Sequence, residues 1–429
     1  AVELGIKMVT GRQSLKTFLV FTCISAFFVA FRASDFVQKH EPASTVQEKE
    51  VKVVPKDLYN PNRPYFVLHV GPHKTATTSI QSFLMRHRQT FRKNDYEAFG
   101  PGASRMKSVI NCLAAHLGQK DPTNAPECLA KPLTDLEAMA AQGKNVLFSS
   151  EQFMQTNTVD MESFAWQVFF QTLQQHFRVK VVMYYRRHFD RLPSIWNQKF
   201  KPQRGTGKSI KWPGHQNGQD IPSFLEFFEA TLGVSGKTRF GLGTAFRTEL
   251  VPNTANTLEH MRLDGAMEIH IRSYYCEDIL EDFFCHVVPD APTVCGMFHG
   301  EKAYHPPTIN SSVDTIDYDS IALEAHRLGI LPPKTTRSTA MQQAQRYQEK
   351  ILNLTVADLP QACLSEELLD KMREISYQHE QRIMPSLIET HNESFVKANQ
   401  KGKFCSVNAT KVLEDPGWKN FLGGNSSVP

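Results

Sequence analysis

The stretch that most constrains the fold is residues 65–84, YFVLHVGPHKTATTSIQSFL. Residues 65–70 are aromatic and β-branched and have the length of a strand, and Gly71 with the proline after it breaks the run. From residue 77 to residue 84, apolar side chains recur at the spacing of one helix face. The sequence therefore predicts a strand, a tight loop and a helix.

The loop has the chemistry of an anion-binding site. Backbone N–H groups at a helix N-terminus point toward one place, where the helix dipole adds positive potential. The loop and the first helical turn add an amine and four hydroxyls, from Lys74, Thr75, Thr77, Thr78 and Ser79. It is not a Walker A loop, because no Gly-Lys pair follows the first glycine at GxxxxGK[ST] spacing. An ordinary capped helix start has the same composition, so a second motif is needed.

The second motif is the segment 179–198, VKVVMYYRRHFDRLPSIWNQ. An apolar run typical of a buried strand ends at Tyr185, Arg186 follows it, and Ser194 comes eight residues later on a predicted helix. A guanidinium offers paired charged hydrogen bonds to a phosphate, and a hydroxyl offers a third. Arg187 is an alternative to Arg186, because a strand end is predicted only to within a residue.

Together, the two segments resemble the nucleotide site of sulfotransferases, which use 3′-phosphoadenosine 5′-phosphosulfate (PAPS), and HVGPHKTATTSIQ is similar to the loop of carbohydrate-type members. The resemblance covers residues 65–288 and implies that Arg186 and Ser194 bind the 3′-phosphate. It assigns the 5′-phosphosulfate to His73, Lys74, Thr75, Ala76, Thr77, Thr78 and Ser79. A weaker likeness at MEIHIRSYY gives Arg272 a structural or nucleotide-side role. Ala76 replaces the usual glycine, and its Cβ weakens binding if φ is positive there.

The resemblance also implies in-line transfer of a sulfuryl group to a hydroxyl. Lys74 would neutralise the charge that builds on the bridging phosphate oxygen, and the family requires no metal. Glu151, directly beyond the predicted strand 145–149, is the first choice for the base, with an N-cap role as its alternative. His73 competes for the role of base, whereas His69, inside the first strand, is expected to be a buried and hydrogen-bonded histidine.

The expected acceptor is a carbohydrate. The loop at 197–212 carries five cations and no acid, which suits an anionic polysaccharide, although a solvated flexible loop has the same composition. The alternatives are a tyrosylprotein sulfotransferase and a catalytically inactive glycan-binding homologue, which Ala76 supports. A kinase would need a Walker-type Gly-Lys and a metal-binding carboxylate. The formal net charge of +4 does not favour nucleic-acid binding.

Near the N-terminus, residues 17–31 form an uncharged apolar run with basic residues before it. The run is slightly shorter than the roughly 17–25 residues of a spanning helix, but it is rich in phenylalanine and favours a signal anchor over the alternative, a cleaved signal peptide. The charges predict that residues 1–16 are cytosolic, with 1–7 doubtful because Met8 is a sensible initiator. Residues 32–62 are polar and predict a flexible stem. This layout is that of a single-pass type II Golgi membrane protein with a lumenal catalytic domain.

Glycosylation sequons and cysteines agree with a lumenal location. Five Asn-X-Ser/Thr sequons lie in the last third of the chain, at Asn310, Asn353, Asn392, Asn408 and Asn425. Of eight cysteines, one lies in the predicted anchor, and the remaining seven predict disulfides whose connectivity stays open. Neither CxxC nor HExxH occurs, so no metal site is predicted.

The alternation of strand-like and helix-like segments predicts an α/β fold with a parallel sheet. The resemblance narrows this to a three-layer sandwich with a P-loop-like sulfotransferase fold over residues 63–300, followed by a mostly helical extension over 301–429. The predicted strands are 65–70, 145–149, 179–185 and 267–271. The predicted helices are 77–92, 161–176, 191–200, 221–231, 339–352 and 365–388.

Overall fold

The computed structural model describes residues 60–71, 75–99, 104–116, 127–150, 163–200, 212, 223–232, 267–299, 304 and 315–424. His73, Lys74 and Glu151 lie outside these residues, as do the predicted anchor and nearly all of the predicted stem. Within the described part of the chain, no helix is both long and apolar enough to span a bilayer.

Five parallel strands form the central sheet, in the order β2-β3-β1-β4-β5. The strands are β1 Tyr65–His69, β2 Tyr96–Phe99, β3 Asn145–Ser149, β4 Arg178–Tyr185 and β5 Met267–Ser273. The prediction of an α/β fold with a parallel sheet is confirmed, and four of the strands coincide with the four predicted runs. β2 was not predicted, because four residues with an acid among them carry no clear period-2 signal.

Among the described residues before position 300, the helices are α1 Thr77–Arg86, α2 Arg88–Arg92, α3 Ser104–Ala115, α4 Glu127–Ala141, α5 Phe164–His176, α6 His188–Phe200, α7 Phe224–Thr231, α8 Ile279–Glu281 and α9 Pro292–Cys295. α8 continues as a π-helical turn, Asp282–Val287. The predicted helix 77–92 is two helices, because the backbone leaves the helical region at His87, whose ring packs on Phe83 and Tyr304.

The extension contains α10 Thr315–Arg327, α11 Arg337–Arg346, α12 Glu366–Ile383, α13 His391–Gln400, α14 Ala409–Val412 and α15 Pro416–Leu422. Two short antiparallel strands, β6 Gln361–Cys363 and β7 Cys405–Val407, pair beside them. α12 ends five residues before the predicted end at 388, because Pro385 has no N–H for the helical ladder and a 3-10 turn, Pro385–Thr390, follows.

Hydrophobic clusters cover both faces of the sheet. Along β4, Val181 and Met183 belong to one cluster and Val182 and Tyr184 to the other, as the alternation of side chains in a strand requires. α3, α4 and α5 cover the first face, and α1 with the segment from α8 to α9 covers the second. This arrangement is compatible with a three-layer sandwich.

A third cluster joins the extension to the sheet domain. Phe189 and Phe227 from α6 and α7 pack with Leu368 from α12 and Phe395 from α13. The described residues accordingly belong to one compact unit, and the packing continues across the predicted boundary near residue 300.

Three disulfides answer the question of cysteine connectivity. Cys112 pairs with Cys128, Cys285 with Cys295, and Cys363 with Cys405. Cys276 is the one free cysteine among the described residues, as the odd count of seven requires. The last bridge joins β6 to β7 and closes the longest loop, with a sequence separation of 42.

Candidate anion-binding site

The strand order identifies the part of the sheet at which a ligand is expected. The chain leaves β1 toward β2 on one side and leaves β4 toward β5 on the other, so the adjacent strands β1 and β4 flank the point where the winding reverses. Ligands of open α/β sheets bind outside the carboxyl ends of the strands at this point. The loop that follows β1 and the Arg186–Arg187 pair that follows β4 both lie at this edge.

Gly71 opens the loop in a space that has no room for a side chain. A Cβ at this position would lie 2.8 Å from Thr77 Cγ2, 2.9 Å from Thr75 Oγ1 and 2.9 Å from His69 Nε2. Thr75 and Thr77 are themselves buried. The backbone at Gly71 therefore lies close to two hydroxyl-bearing residues, as glycine in a phosphate-binding loop would.

Ala76 ends the loop in a left-handed conformation, with φ 60° and ψ 14°. Its carbonyl accepts hydrogen bonds from the N–H groups of Ser79, at 2.9 Å, and Ile80, at 3.1 Å, so it is the N-cap of α1. The left-handed region costs a residue with a Cβ about 1–2 kcal/mol. The condition under which the sequence predicts weakened binding, a positive φ at Ala76, is met.

The first turn of α1 carries the remaining hydroxyls of the predicted loop. Thr78 is exposed and Ser79 is half-buried. Both lie in the first turn of α1, where the helix dipole adds positive potential.

His69 is confirmed as a buried, hydrogen-bonded histidine. Its Nδ1 lies 2.8 Å from Ser149 Oγ at the end of β3, and its ring packs against Tyr184 and Phe283. The Ser150 N–H donates to the His69 carbonyl at 3.0 Å. Ser150 therefore lies at the same edge of the sheet as Gly71, where the loop after β1 begins.

Arg186 and Arg187 have different surroundings. Arg187 is buried, pairs with Glu380 at 3.2 Å from Nε to Oε1, and donates to the carbonyl of Leu387 at 2.9 Å and to the hydroxyl of Thr390 at 2.6 Å. The guanidinium of Arg187 is thus bound by the extension. Arg186 is half-buried, with its guanidinium carbon 4.9 Å from the centre of the Tyr274 ring. Of the two arginines, Arg186 is the better candidate for an anion ligand.

Ser194 lies on α6, as predicted, and is half-buried. The helix begins at His188, three residues before the predicted start, so the turn between Arg186 and the helix is short. The strand, arginine and helix therefore follow one another in the predicted order.

Arg272 is held by an acidic residue of the helix that follows its strand. Its Nε donates to Asp282 Oδ2 at 3.0 Å, a second N–H group donates to Oδ1, and the Tyr184 hydroxyl donates to Oδ2 at 2.6 Å. Burial opposes the ionisation of Asp282, but these donors outweigh it, so the pKa of that carboxyl is lowered. This geometry favours the structural alternative for Arg272.

The sequence did not point to a cluster at the start of α6. Asp190 accepts from the Tyr275 hydroxyl at 2.6 Å and from Lys403 Nζ at 2.5 Å. Burial raises the pKa of Asp190, but those two donors and the charge of Arg186 outweigh burial and lower it. Because Lys403 and Asp190 are 213 residues apart, no local pattern joins them.

In the part of the chain that the structure describes, two groups have the geometry of metal ligands, Cys112 with His116 and Cys128, and Cys285 with Cys295 and His299. In both groups the cysteines form a disulfide, and a disulfide does not offer the thiolates that bind zinc.

No family model, curated protein or solved structure matches the chain.

Proposed function

We propose that the chain is a sulfotransferase that moves the sulfuryl group of PAPS to a hydroxyl of a carbohydrate. One observation carries the proposal. The loop between Gly71 and Ala76 and the arginine at position 186 follow adjacent parallel strands, and both lie at the carboxyl edge where the winding reverses. Adjacent strands are about 4.8 Å apart, so two anion-binding positions at this edge suit one nucleotide with two phosphate groups.

In this proposal the loop amides, Lys74 and the hydroxyls from Thr75 to Ser79 bind the 5′-phosphosulfate, and Arg186 with Ser194 binds the 3′-phosphate. The acceptor oxygen forms a bond to sulfur while the bond from sulfur to the bridging phosphate oxygen breaks. The acceptor proton passes to Glu151 or His73, and 3′,5′-adenosine bisphosphate leaves. Lys74 stabilises the charge that develops on the bridging oxygen, where fixed donors contribute most to catalysis.

The acceptor and the compartment belong to the same proposal. Residues 17–31 would anchor the chain in the Golgi membrane, and the basic loop at 197–212 would attract an anionic polysaccharide. The loop ends at Trp212, whose ring stacks on His326 at 4.0 Å and whose Nε1 donates to the Thr335 carbonyl at 3.0 Å. These contacts tie one end of the basic loop to the extension.

The proposal is tested by calorimetry of the full chain in detergent with 3′,5′-adenosine bisphosphate. We expect binding by the parent and a loss of about 10- to 100-fold for Arg186→Ala, since hydrogen bonds to charged groups are worth about 1.5–3 kcal/mol. Arg178→Ala, at the opposite end of β4, is the matched control and should bind like the parent. A parent chain that does not bind the nucleotide would overturn the proposal.

The catalytic role of Lys74 needs a separate assay. With labelled PAPS and a panel of glycans, Lys74→Ala should abolish sulfate transfer. Transfer near the parent rate would disprove the mechanism.

A catalytically inactive homologue is the second candidate, and one observation favours it. Ala76 holds a left-handed conformation with a Cβ in the loop that would face the phosphosulfate. Nucleotide binding without transfer to any glycan or tyrosine-containing peptide would support this candidate over the first.

A further inference from the structure

A buried ionic cluster joins the extension to the end of β4. Glu380 of α12 and His391 of α13 have no exposed surface, and Arg187 is almost as deeply buried. Glu380 Oε1 lies 3.2 Å from Arg187 Nε and 3.1 Å from His391 Nδ1. A buried carboxylate is costly unless it is paired. These contacts therefore bind the first residues after β4 firmly to the extension.

The 3-10 turn between α12 and α13 also accepts hydrogen bonds from Arg187. The guanidinium of Arg187 donates to the carbonyl of Leu387 at 2.9 Å and to the carbonyl and hydroxyl of Thr390 at 3.3 and 2.6 Å. The guanidinium of one arginine thus contacts a carboxylate, two backbone carbonyls and a hydroxyl from a region about 200 residues away in sequence.

The backbone beside Arg186 is held by further hydrogen bonds. The Arg187 N–H donates to the Tyr275 hydroxyl at 3.2 Å, and the Arg187 carbonyl accepts from Asp190 N–H at 3.0 Å. Just before the pair, the Tyr185 carbonyl accepts from Tyr274 N–H at 2.9 Å. Because peptide units are planar, holding Tyr185 and Arg187 fixes the peptide units on both sides of Arg186, and with them the direction in which its side chain leaves the backbone.

We infer that Glu380 is a positioning residue for the 3′-phosphate: through Arg187 it holds Arg186 in the orientation that binds this group. The inference rests on the proposed function. The helical extension is then part of the nucleotide site, although none of its residues needs to contact the nucleotide. Pre-organisation of this kind raises affinity by reducing the ordering that binding requires.

The test compares two nucleotides on the full chain. 5′-AMP lacks the 3′-phosphate of 3′,5′-adenosine bisphosphate. The Kd of 5′-AMP divided by the Kd of 3′,5′-adenosine bisphosphate therefore measures what the 3′-phosphate contributes to affinity. For Glu380→Gln, which removes the charge but keeps the shape, we expect this ratio to fall at least fivefold while the Kd of 5′-AMP stays within twofold of the parent value. A ratio equal to that of the parent, or equal weakening of both nucleotides, would overturn the inference.

A second buried ion pair supplies the matched control. Arg337 Nε donates to Asp319 Oδ1 at 2.7 Å between α10 and α11, and both side chains are buried within the extension. Asp319→Asn should lower the thermal stability, as any broken buried pair does, and leave the ratio unchanged. A fall of the ratio in this variant too would mean that loss of stability alone explains the effect, and would overturn the inference.

Two further variants keep the outcome decisive. Thr390→Val removes one acceptor from Arg187 and leaves the buried charges paired, so a smaller fall, about twofold, is expected in a stable protein. Adding Glu380→Gln to Arg186→Ala should change the ratio no further, because the residue that is positioned has gone. A parent chain that binds neither nucleotide would refute the proposed function and this inference together. If the parent binds both nucleotides and Glu380→Gln has the same ratio of Kd values as the parent, the inference alone is refuted.

Discussion

At the scale of single residues, the loop after β1 is bounded by two positions with opposite conformational problems. Gly71 occupies a space that a Cβ would fill, and Ala76 has a Cβ where the backbone favours glycine. Glycine suits the crowded space at position 71, whereas alanine does not suit the left-handed backbone at position 76. Backbone strain of this kind is common at binding sites, where the surrounding structure maintains it.

Replacing Ala76 with glycine should relieve the strain. Glycine avoids about 1–2 kcal/mol of left-handed strain but loses about 0.5–1 kcal/mol of chain entropy, so we expect a small gain in thermal stability. We also expect tighter binding of 3′,5′-adenosine bisphosphate, measured by calorimetry. Lys334→Gly, at φ 70° in an exposed turn of the extension, is the control for strain relief away from the site. Equal affinities for the parent and Ala76→Gly would show that the Cβ does not hinder the ligand.

Replacing Gly71 with alanine should have the opposite effect. The added Cβ would press on Thr75, Thr77 and His69 at 2.8–2.9 Å, and overpacking of this kind costs about 1–3 kcal/mol. We expect a lower Tm and loss of nucleotide binding. Gly296→Ala, where nothing lies within 4 Å of the new Cβ, should leave both quantities unchanged. A stable Gly71→Ala variant with the parent's affinity would contradict the close packing of the loop.

At the scale of elements, α6 meets α12 through a pair of histidines. His188, the first residue of α6, is fully buried, and its ring lies 5.3 Å from that of His379 on α12. Burial lowers the pKa of His188 well below its ordinary value, and the charges of Arg191 and His379 act in the same direction. The contact therefore requires a neutral imidazole at position 188.

This contact predicts that acid weakens the fold. The unfolded chain protonates His188 near pH 6.5 and the folded chain does so only at lower pH, so stability is complete above pH 6.5 and falls as the pH drops below it. From pH 7.5 to 5.5 the loss from His188 should be at most about 1.4 kcal/mol, the value reached when the folded chain stays unprotonated at His188 over that range. Denaturant titrations at both pH values should show a smaller loss for His188→Leu than for the parent. If His188→Leu and the parent lose the same free energy of unfolding between the two pH values, His188 is not the source of the loss.

At the scale of the whole molecule, the described sequons differ in what their asparagines contact. Asn353 lies in an exposed left-handed turn at φ 55°, next to the exposed apolar residues Ile351, Leu352 and Leu354. Asn408 is half-buried, and its side-chain oxygen accepts from Lys411 N–H at the start of α14. A glycan at Asn353 would extend into solvent and cover apolar surface, whereas one at Asn408 would crowd a helix cap.

If the chain enters the secretory lumen as proposed, Asn353 should carry a glycan and Asn408 should not. In a eukaryotic secretory host, Asn353→Gln should reduce the apparent mass by one endoglycosidase-sensitive glycan, and Asn408→Gln should not change it. Mass spectrometry of the peptides after enzymatic release gives the occupancy of each site. A chain with no glycan at any sequon would argue against the lumenal location, and a glycan at Asn408 in place of Asn353 would contradict only the choice of site.

Much of the sheet could be predicted from the sequence, because β1, β3 and β4 are largely apolar runs of strand length and β5 alternates apolar with polar residues. β3 has the predicted bounds, and β1, β4 and β5 differ from theirs by one or two residues. β2 could not be predicted, since its four residues are stabilised by pairing with β3 rather than by a pattern of their own. For the candidate site, the sequence predicted the order of the loop, the arginine and the helix along the chain, but not which side chains contact one another.

Sequence alone determined the strand, loop and helix at residues 65–84, the α/β class and the position of an arginine after β4. Those features depend on the spacing of apolar residues and on breakers within a few positions. Only the tertiary structure decided that Ala76 is left-handed, that Arg187 is bound by Glu380, and that Arg186 is therefore the better candidate for the phosphate. Arg187 and Glu380 are 193 residues apart, and folding, not local spacing, brings a buried charge to its partner.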